Sequence, residues 1–521
     1  MLDKIKRIFS QREAWSHKDW AILAAGIGVF GVLSLGNMAR WSIWFDEAYG
    51  VYLIRHSFAE VAAFTAADVH PPLYYWLLKV WQMLFGSSEI ALRSLSMVMV
   101  AVAIVFMYLL VRKSFGRRVG AWTMLLMALS PMLIRYSEEA RMYGMAMAIV
   151  AAATYVLVSA TERPSRHKWI LYGILVSLGM WTHYYTAIMW LAHWVWRYMT
   201  VRTTTAKKTA KAFWTKEWAW THLLAVALFL PWLPHMVKQM ANVQGGGFWI
   251  HPITATTPFN FLTNIILYRE NHEVSSWLAI LMLAVMTGVV VAIVLAYKKL
   301  RAGQKETLRL FMVMAFVPML LLLALSLPPL RPSFVDRYLL PSIPFWFGLL
   351  GISVATVLAK QKARVALPAT VLLLVGLSLG VAHVYTVGNY NKNANDPLPI
   401  RQTVRQMQQL GAVGQPILSS SSWRFYEMHY YDTERNPVYF EATDNLTWGS
   451  YDMLRYNPYR KVYGAPDFAK EHGGTIWYVG DWKAGSPILP RQGSWEVLRE
   501  VKVDGIPDNQ STIHAVEIRL K

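Results

Sequence analysis

Long apolar runs, broken by short clusters of charge, proline and glycine, fill the first 390 residues. They predict membrane spans near 19–38, 90–111, 119–135, 142–160, 169–187, 188–200, 217–236, 276–297, 309–327, 338–358 and 365–386, most of them close to the roughly 20 residues that cross a bilayer core. That makes about eleven transmembrane helices. Beyond them, at VGNYNKNANDPLPI, the pattern changes. Short strand-like runs (PILSS, TIWYVGD, WEVLREVKV, IHAVEIRL) and one helical stretch, Pro399 to Leu410, predict a small α/β domain over 391–521. The fold class is therefore an all-α polytopic membrane protein with a small C-terminal α/β domain. Its predicted parts are residues 1–18 as N-terminal segment, 19–390 as transmembrane domain and 391–521 as extramembrane domain.

The longest polar interruption near the N-terminus is Trp41 to Leu92, which opens WSIWFDEAYG and continues through DVHPPLYYWLLKVWQMLFG. Ser57-Phe-Ala-Glu60 has the form of a capping box that opens a short helix. Pro71-Pro72 starts a second, in which Leu73, Trp76, Leu77, Val80, Trp81 and Leu84 share one face. About fourteen residues give about 21 Å, too short for a ~30 Å core, so this helix is expected to lie in the interface. A re-entrant or simply packed helix is the alternative.

Charge decides orientation. With the amino terminus cytoplasmic, the inside segments hold 26 Lys and Arg and the outside loops only 9, as the positive-inside rule requires. The 41–92 loop and the C-terminal domain are then extracytoplasmic, and the expected location is the plasma (inner) membrane. A net charge of +20 raises the question of nucleic acid, but residues from Asn391 onward carry 15 Lys+Arg against 15 Asp+Glu. The basic excess belongs to the membrane part and serves topology, so no nucleic-acid partner is expected. Hydrophobic residues make up 55% of the chain and charged ones 16%, too apolar for an ordinary soluble enzyme. Cysteine is absent, which removes disulfides, thiolate nucleophiles and cysteine metal sites. The basic start, MLDKIKRIFSQREAWSHK, runs into a full span without a small-residue cleavage pattern and reads as an uncleaved first helix.

Asp46 and Glu47 follow an aromatic helix end where the first span leaves the membrane. Two acids at that depth are either solvated, paired or used. Used, one of them is a general base for an acceptor hydroxyl. Cations, which would hold an anionic substrate, are few on the outer side: Arg93, Arg135, Arg141, Lys238, Arg269, Arg331 and Arg337. Arg141 and Arg337 each stand near an acid at a span end, as ion-pair partners or snorkelling anchors in one reading and as bidentate phosphate ligands in the other. His70 and His183 lack HxxxH or HxH spacing and read as hydrogen-bonding groups; no metal site is assigned, and a divalent cation at the donor phosphate stays open without support from ligand spacing. Trp and Tyr clusters such as WTHYY and WLAHWVWRY read as interfacial belts. GGGFWIHP, Gly245 to Pro252, predicts a mobile lid or a plain loop.

FDE in the first outer loop, DVHPPLYYWLL some two dozen residues on, ALRSLSMV entering the second span, YSEEARMYG at Tyr136–Gly144 and VDRYLLPSIP at Val335–Pro344 stand in an order that resembles the GT-C membrane glycosyltransferases. The branch is that of the protein O-mannosyltransferases and the bacterial mannosyltransferase-like and lipid A aminoarabinose transferases. The resemblance covers roughly residues 20–390. It implies inverting transfer of a sugar, mannose-like or other, from a polyprenyl-phosphate donor to a cell-envelope acceptor hydroxyl outside the membrane. Asp46 is the implied base, with Glu47 behind it holding Arg93 or another cation. Asp68, His70 and Tyr74 line the cleft, and Glu139, Arg141, Tyr143, His183, Arg337 and Tyr338 complete the implied donor and substrate contacts. A small C-terminal domain stands where eukaryotic protein mannosyltransferases have further modules, which favours a lipid or glycan acceptor over protein. The rival reading is a transporter or flippase of a lipid-linked sugar, which commonly shows paired inverted repeats that this sequence lacks. A scaffold would leave the Asp46–His70 cluster without a role.

Overall fold

A computed structural model describes residues 15–204, 210–245, 250–269, 275–297, 300–360, 363–387, 399–432, 436–442, 449–455, 460–482, 488–503 and 512–521. Half of the lid stretch Gly245–Pro252, residues 246–249, lies outside the described residues. Contacts divide the chain into two compact units, residues 1–36 with 93–385, and residues 37–92 with 386–521.

The chain is a multi-pass membrane protein, and a helix stands at each of the eleven predicted runs. Among the described residues seven helices are long and apolar enough to cross a membrane, or eight with one bent pair. That pair, Arg117–Ala128 and Pro131–Ser137, bends by 58°. Pro131 explains it: it lacks an amide donor and restricts the residue before it, and Ser130 caps the new helix by accepting from the Leu133 amide at 3.2 Å. The span expected near 119–135 is therefore broken in two.

In this first unit the Tyr143–Glu162 helix is a packing centre, 83% buried over its most apolar window. Its alanines and Gly144 let neighbours approach closely; a Cβ on Gly144 would stand 2.9 Å from the Ser96 carbonyl. Several polar groups inside the bundle are paired. Thr154 Oγ1 donates to the Val150 carbonyl at 2.7 Å, so it accepts from His193 Nε2 at 2.9 Å, and His193 Nδ1 then accepts from the Tyr172 hydroxyl at 3.0 Å. His193 is thereby a neutral, fully bonded core residue. Asp19, fully buried, is held by Arg112, by Arg117 at 3.1 Å and by the Tyr108 hydroxyl at 2.8 Å.

The second unit joins the loop between the first two spans to the C-terminal domain. The loop folds into three helices, Phe45–Leu53, Phe58–Ala67 and Leu73–Phe85. The capping box is present: the Ser57 amide donates to Glu60 Oε2 at 2.8 Å and the Glu60 amide to Ser57 Oγ at 3.3 Å. Pro72 sits at the N-cap of the third helix, one residue earlier than a first-turn proline. That helix buries Tyr74, Tyr75 and Leu78 in protein and leaves Val80, Met83, Leu84 and Phe85 exposed, which suits an interfacial helix with its apolar side toward lipid.

The C-terminal part carries a six-stranded sheet in the order β3-β2-β1-β4-β6-β5. The strands are β1 Ile417–Ser419, β2 Val438–Glu441, β3 Lys461–Val462, β4 Thr475–Trp482, β5 Trp495–Val503 and β6 Thr512–Leu520. The first four in that order are parallel, with Ile417 opposite both Val438 and Trp477, and β6 and β5 continue the sheet antiparallel. Leu418, Ile476, Tyr478, Val516, Ile518 and Phe468 form its core. The four expected strands and the helix Ile400–Gln409 are present. Strands β2 and β3 and the helices Ser422–Asp432 and Ala465–Glu471 are additions to the expected set.

Candidate active site

In the second unit the sequence FDEAYGVYL forms a nine-residue helix whose first turn carries both candidate acids. Neither is a solvated loop residue: Asp46 is 7% exposed and Glu47 fully buried. The helix N-terminus favours negative charge there. Glu47 turns its Oε2 back to accept from the Trp44 amide at 3.4 Å, so it serves its own helix end. Asp68 ends the next helix at its C-cap, with His70 Nδ1 3.8 Å from its Oδ2. Tyr74 is fully buried on the third helix, its ring 5.6 Å from Tyr75, which lies edge-on to Tyr49 at 6.3 Å. Tyr49 is one turn beyond Asp46 in the same helix.

The C-terminal domain encloses this helix. Phe45 packs on Trp423, Tyr426 and Tyr451 at 5.5, 5.9 and 6.2 Å, and Tyr52 packs on Phe425, Tyr426 and His429. The Ile43 amide donates to the Tyr431 hydroxyl at 2.7 Å, and Tyr431 also bonds Glu89. Arg401 donates to the carbonyls of Ala39 and Arg40 at 2.9 and 2.8 Å and pairs with Glu89 at 2.5 Å. Burial raises the Tyr451 hydroxyl pKa, a hydrogen bond with Ser422 opposes this, and the charge of Asp46 adds to the rise. Tyr426 is likewise pushed up by burial, then by neighbouring groups that include Asp68. Both tyrosines therefore stay neutral donors beside the loop acids. Gly449, two residues before Tyr451, lies against the chain at Ala67 and Asp68, where a Cβ would stand 1.9 Å from the Ala67 carbonyl oxygen. Trp423, Tyr426 and Tyr451 were not among the expected site residues; no local motif marks them, because only packing brings them to the FDE turn.

The first unit gathers the remaining candidates. After the Pro131–Ser137 helix the chain leaves helical geometry, and Glu138, Glu139 and Arg141 lie buried in that short stretch. Arg135 donates to Glu139 Oε2 at 2.8 Å. Ser96 Oγ donates to the Arg141 carbonyl at 3.1 Å, which sets this stretch against the helix turn after Arg93, itself fully buried. Tyr143 begins the next helix, with His183 5.6 Å from its ring. His183 in turn faces Tyr338 at 5.3 Å, and Tyr185 stacks on Tyr338 at 4.3 Å. Arg337, 6% exposed, stands beside Tyr338 in the 3-10 turn Asp336–Ser342. Asp336 accepts from Asn264 Nδ2 at 2.6 Å, and the Arg269 amide donates to Asn264 Oδ1 at 2.8 Å, two further polar links that spacing did not reveal. A buried collection of arginine, tyrosine and histidine donors of this kind is suited to an anionic ligand. Among the described residues no group of three or more His, Asp or Glu side chains is arranged to hold a metal ion.

Residues 69–235 match the family of dolichyl-phosphate-mannose-protein mannosyltransferases, a stretch that contains His70, Tyr74, Arg93, Glu139, Arg141, Tyr143 and His183 but not Asp46, Glu47, Arg337 or Tyr338. No curated protein matches the chain in sequence. In fold, the chain is similar to ArnT from Cupriavidus metallidurans in the apo state, with TM-score 0.61, 12% identity, and 96% of this chain and 98% of that one covered. The same protein bound to undecaprenyl phosphate gives TM-score 0.60 at 12% identity over the same shares. The archaeal oligosaccharyltransferase AglB from Archaeoglobus fulgidus, in complex with an inhibitory peptide and a dolichol-phosphate, gives 0.53 at 12% identity over 90% of this chain and 70% of that one. The chain is a multi-pass membrane protein with the GT-C glycosyltransferase fold, similar over residues 69–235 to the dolichyl-phosphate-mannose-protein mannosyltransferases.

Proposed function

We propose that the protein is an inverting glycosyltransferase that moves a sugar from a polyprenyl-phosphate donor to a hydroxyl of a lipid or glycan acceptor in the cell envelope. The observation that carries this reading is Asp46, buried in the first turn of the Phe45–Leu53 helix, in a chain whose fold is that of proteins solved with undecaprenyl phosphate and dolichol-phosphate. Asp46 accepts the proton of the acceptor hydroxyl as its oxygen attacks the anomeric carbon. The bond from that carbon to the phosphate breaks, and polyprenyl phosphate leaves with the electron pair. Arg93, Arg141 and Arg337 hold the phosphate charge, with Tyr143, His183 and Tyr338 around it. Glu47 keeps the Asp46 turn in place through the Trp44 amide. Asp68, His70 and Tyr74 line the acceptor side. The excess of Lys and Arg in the alternate loops supports a cytoplasmic amino terminus in the plasma (inner) membrane, with residues 41–92 and 391–521 outside.

The test is transfer by the purified protein from a panel of polyprenyl-phosphate sugars to cell-envelope lipids and glycans, with Asp46→Asn beside the wild type. Loss of a general base lowers the rate by about 10²–10⁴-fold. Undiminished transfer by Asp46→Asn overturns the base assignment, and absence of binding to every donor overturns the enzyme class.

A further inference from the structure

Trp423 opens the Ser422–Asp432 helix, and it differs from the buried tyrosines around it. It keeps 46% of its surface exposed, while Tyr426 and Tyr451 keep 1% and 4%. The ring is nevertheless held in place, 5.5 Å from Phe45 and 6.3 Å from Tyr451. Phe45 precedes Asp46 in the chain, and Tyr451 is within reach of the Asp46 charge. A large aromatic face is thus fixed and left open against Phe45 and Tyr451, the neighbours in chain and in charge of the proposed base.

Sheet topology singles out the same place. From β1 the chain proceeds to β2 and β3 on one side, then returns to β4 on the other, so the strand order reverses between β1 and β4. Ligands of open parallel sheets bind beyond the carboxyl ends of the strands at such a point. Here the carboxyl end of β1 runs Ser419, Ser420, Ser421, Ser422 and then Trp423. Ser420 and Ser421 are partly exposed. Gly480 of β4 comes so close that a Cβ would stand 2.2 Å from Ser420 Oγ. The crevice end is therefore lined by hydroxyls and followed by an open indole.

We infer that Trp423, with the hydroxyls of Ser420 and Ser421, forms an acceptor subsite that takes a saccharide ring. A pyranose presents an apolar C–H face and a rim of hydroxyls, which matches a flat indole next to short hydroxyl side chains. Ser421 Oγ accepts from the Arg424 amide at 3.4 Å and keeps its proton to donate to a sugar hydroxyl, which an acyl chain would leave unused. The word acceptor rests on Asp46 as the base; the ring stacked on Trp423 is the part of the acceptor that brings a hydroxyl to it.

The test uses the full chain in nanodiscs and saturation-transfer NMR, with methyl mannopyranoside, methyl glucopyranoside and methyl arabinopyranoside as probes. Saturation on the C–H protons of one ring face is expected for at least one of them. Trp423→Ala weakens that binding about tenfold and Trp423→Phe about two- to threefold. Wild-type binding by both variants, or no saturation on any glycoside, overturns the subsite. So does quenching of Trp423 by nitroxide lipids in glycoside-free nanodiscs, which would make it an interfacial anchor. Binding of polyprenyl-phosphate mannose in the same samples separates the two readings. Donor binding with glycoside binding indifferent to Trp423 overturns the subsite and leaves the transferase. No donor binding, with glycoside binding lost in Trp423→Ala, upholds a saccharide subsite and overturns its role toward a transferase.

Discussion

In the unit of residues 1–36 and 93–385, the long apolar helices are legible from their own stretches of chain, whereas the short helix Thr257–Ile266 is not, and several buried polar groups close in pairs and triads such as Arg135–Glu139 and Thr154–His193–Tyr172. In the unit of residues 37–92 and 386–521, no single stretch is sufficient. The Phe45–Leu53 helix is covered by the Ser422–Asp432 helix, and the bond from Ile43 to Tyr431 joins residues 388 positions apart. The difference teaches where specificity resides. A bundle in lipid satisfies its backbone within each helix, whereas the short loop helices depend on a distant partner for burial.

The comparison can be broken or sharpened by substitution. The largest effect on stability is expected for Arg135→Ala in the first unit, which leaves Glu139 as a buried charge without its arginine. Breaking such a pair costs about 3–5 kcal/mol, and thermal unfolding in detergent should show the loss; a stability within 1 kcal/mol of wild type, by the same rule, would mean that other groups carry Glu139. In the second unit, Gly449→Ala forces the chain at Ala67 to move, at a cost of about 1–3 kcal/mol. Hydrogen exchange should then rise together in residues 58–67 and in the C-terminal sheet. A rise confined to the C-terminal part would break the reading of one unit built from two distant pieces.

A smaller, pH-dependent effect is expected from His429. Its pKa is lowered to about 3 by burial first, then by the charges of Arg55 and Arg460; Tyr52 and Phe425 pack on its ring. An unfolded histidine titrates near 6.5, so below that pH the unfolded chain binds a proton that the folded one refuses. The contribution to stability is complete above about pH 6.5 and is lost as pH falls toward 3. At pH 5 the loss amounts to about 2 kcal/mol. His429→Gln should flatten the fall in unfolding temperature between pH 7 and 5, and an identical slope would mean that His429 takes up its proton in the folded state.

Much of the site was legible only in parts. Asp46 and Glu47 drew notice by type and position, but solvated acids and buried ones have the same sequence, and burial depends on the aromatic side of the Ser422–Asp432 helix. That helix, SWRFYEMHYYD, mixes aromatic and charged residues without a clean period and escaped sequence reading. Strands β2 and β3, of four and two residues, are too short to show alternation. Glu139, Arg141 and Tyr143 share one short stretch, but His183 and Tyr338 come from distant helix ends, and the meeting of Tyr143, His183 and Tyr338 is a property of packing.

By itself the sequence determined the long apolar helices of the membrane part, the capping box at Ser57, four of the six strands and the asymmetry of charge between loops. These follow from local rules: the length needed to cross a bilayer, the bonding of a helix end, alternation along a strand, and the pull of one membrane face on basic residues. The tertiary structure alone decided that residues 37–92 fold with residues 386–521, that Asp46 is shut away from bulk water, and that Trp423 stands open against Phe45. Those are outcomes of long-range contacts, whose free energy is spread over many weak packing interactions and leaves no periodic mark on either partner.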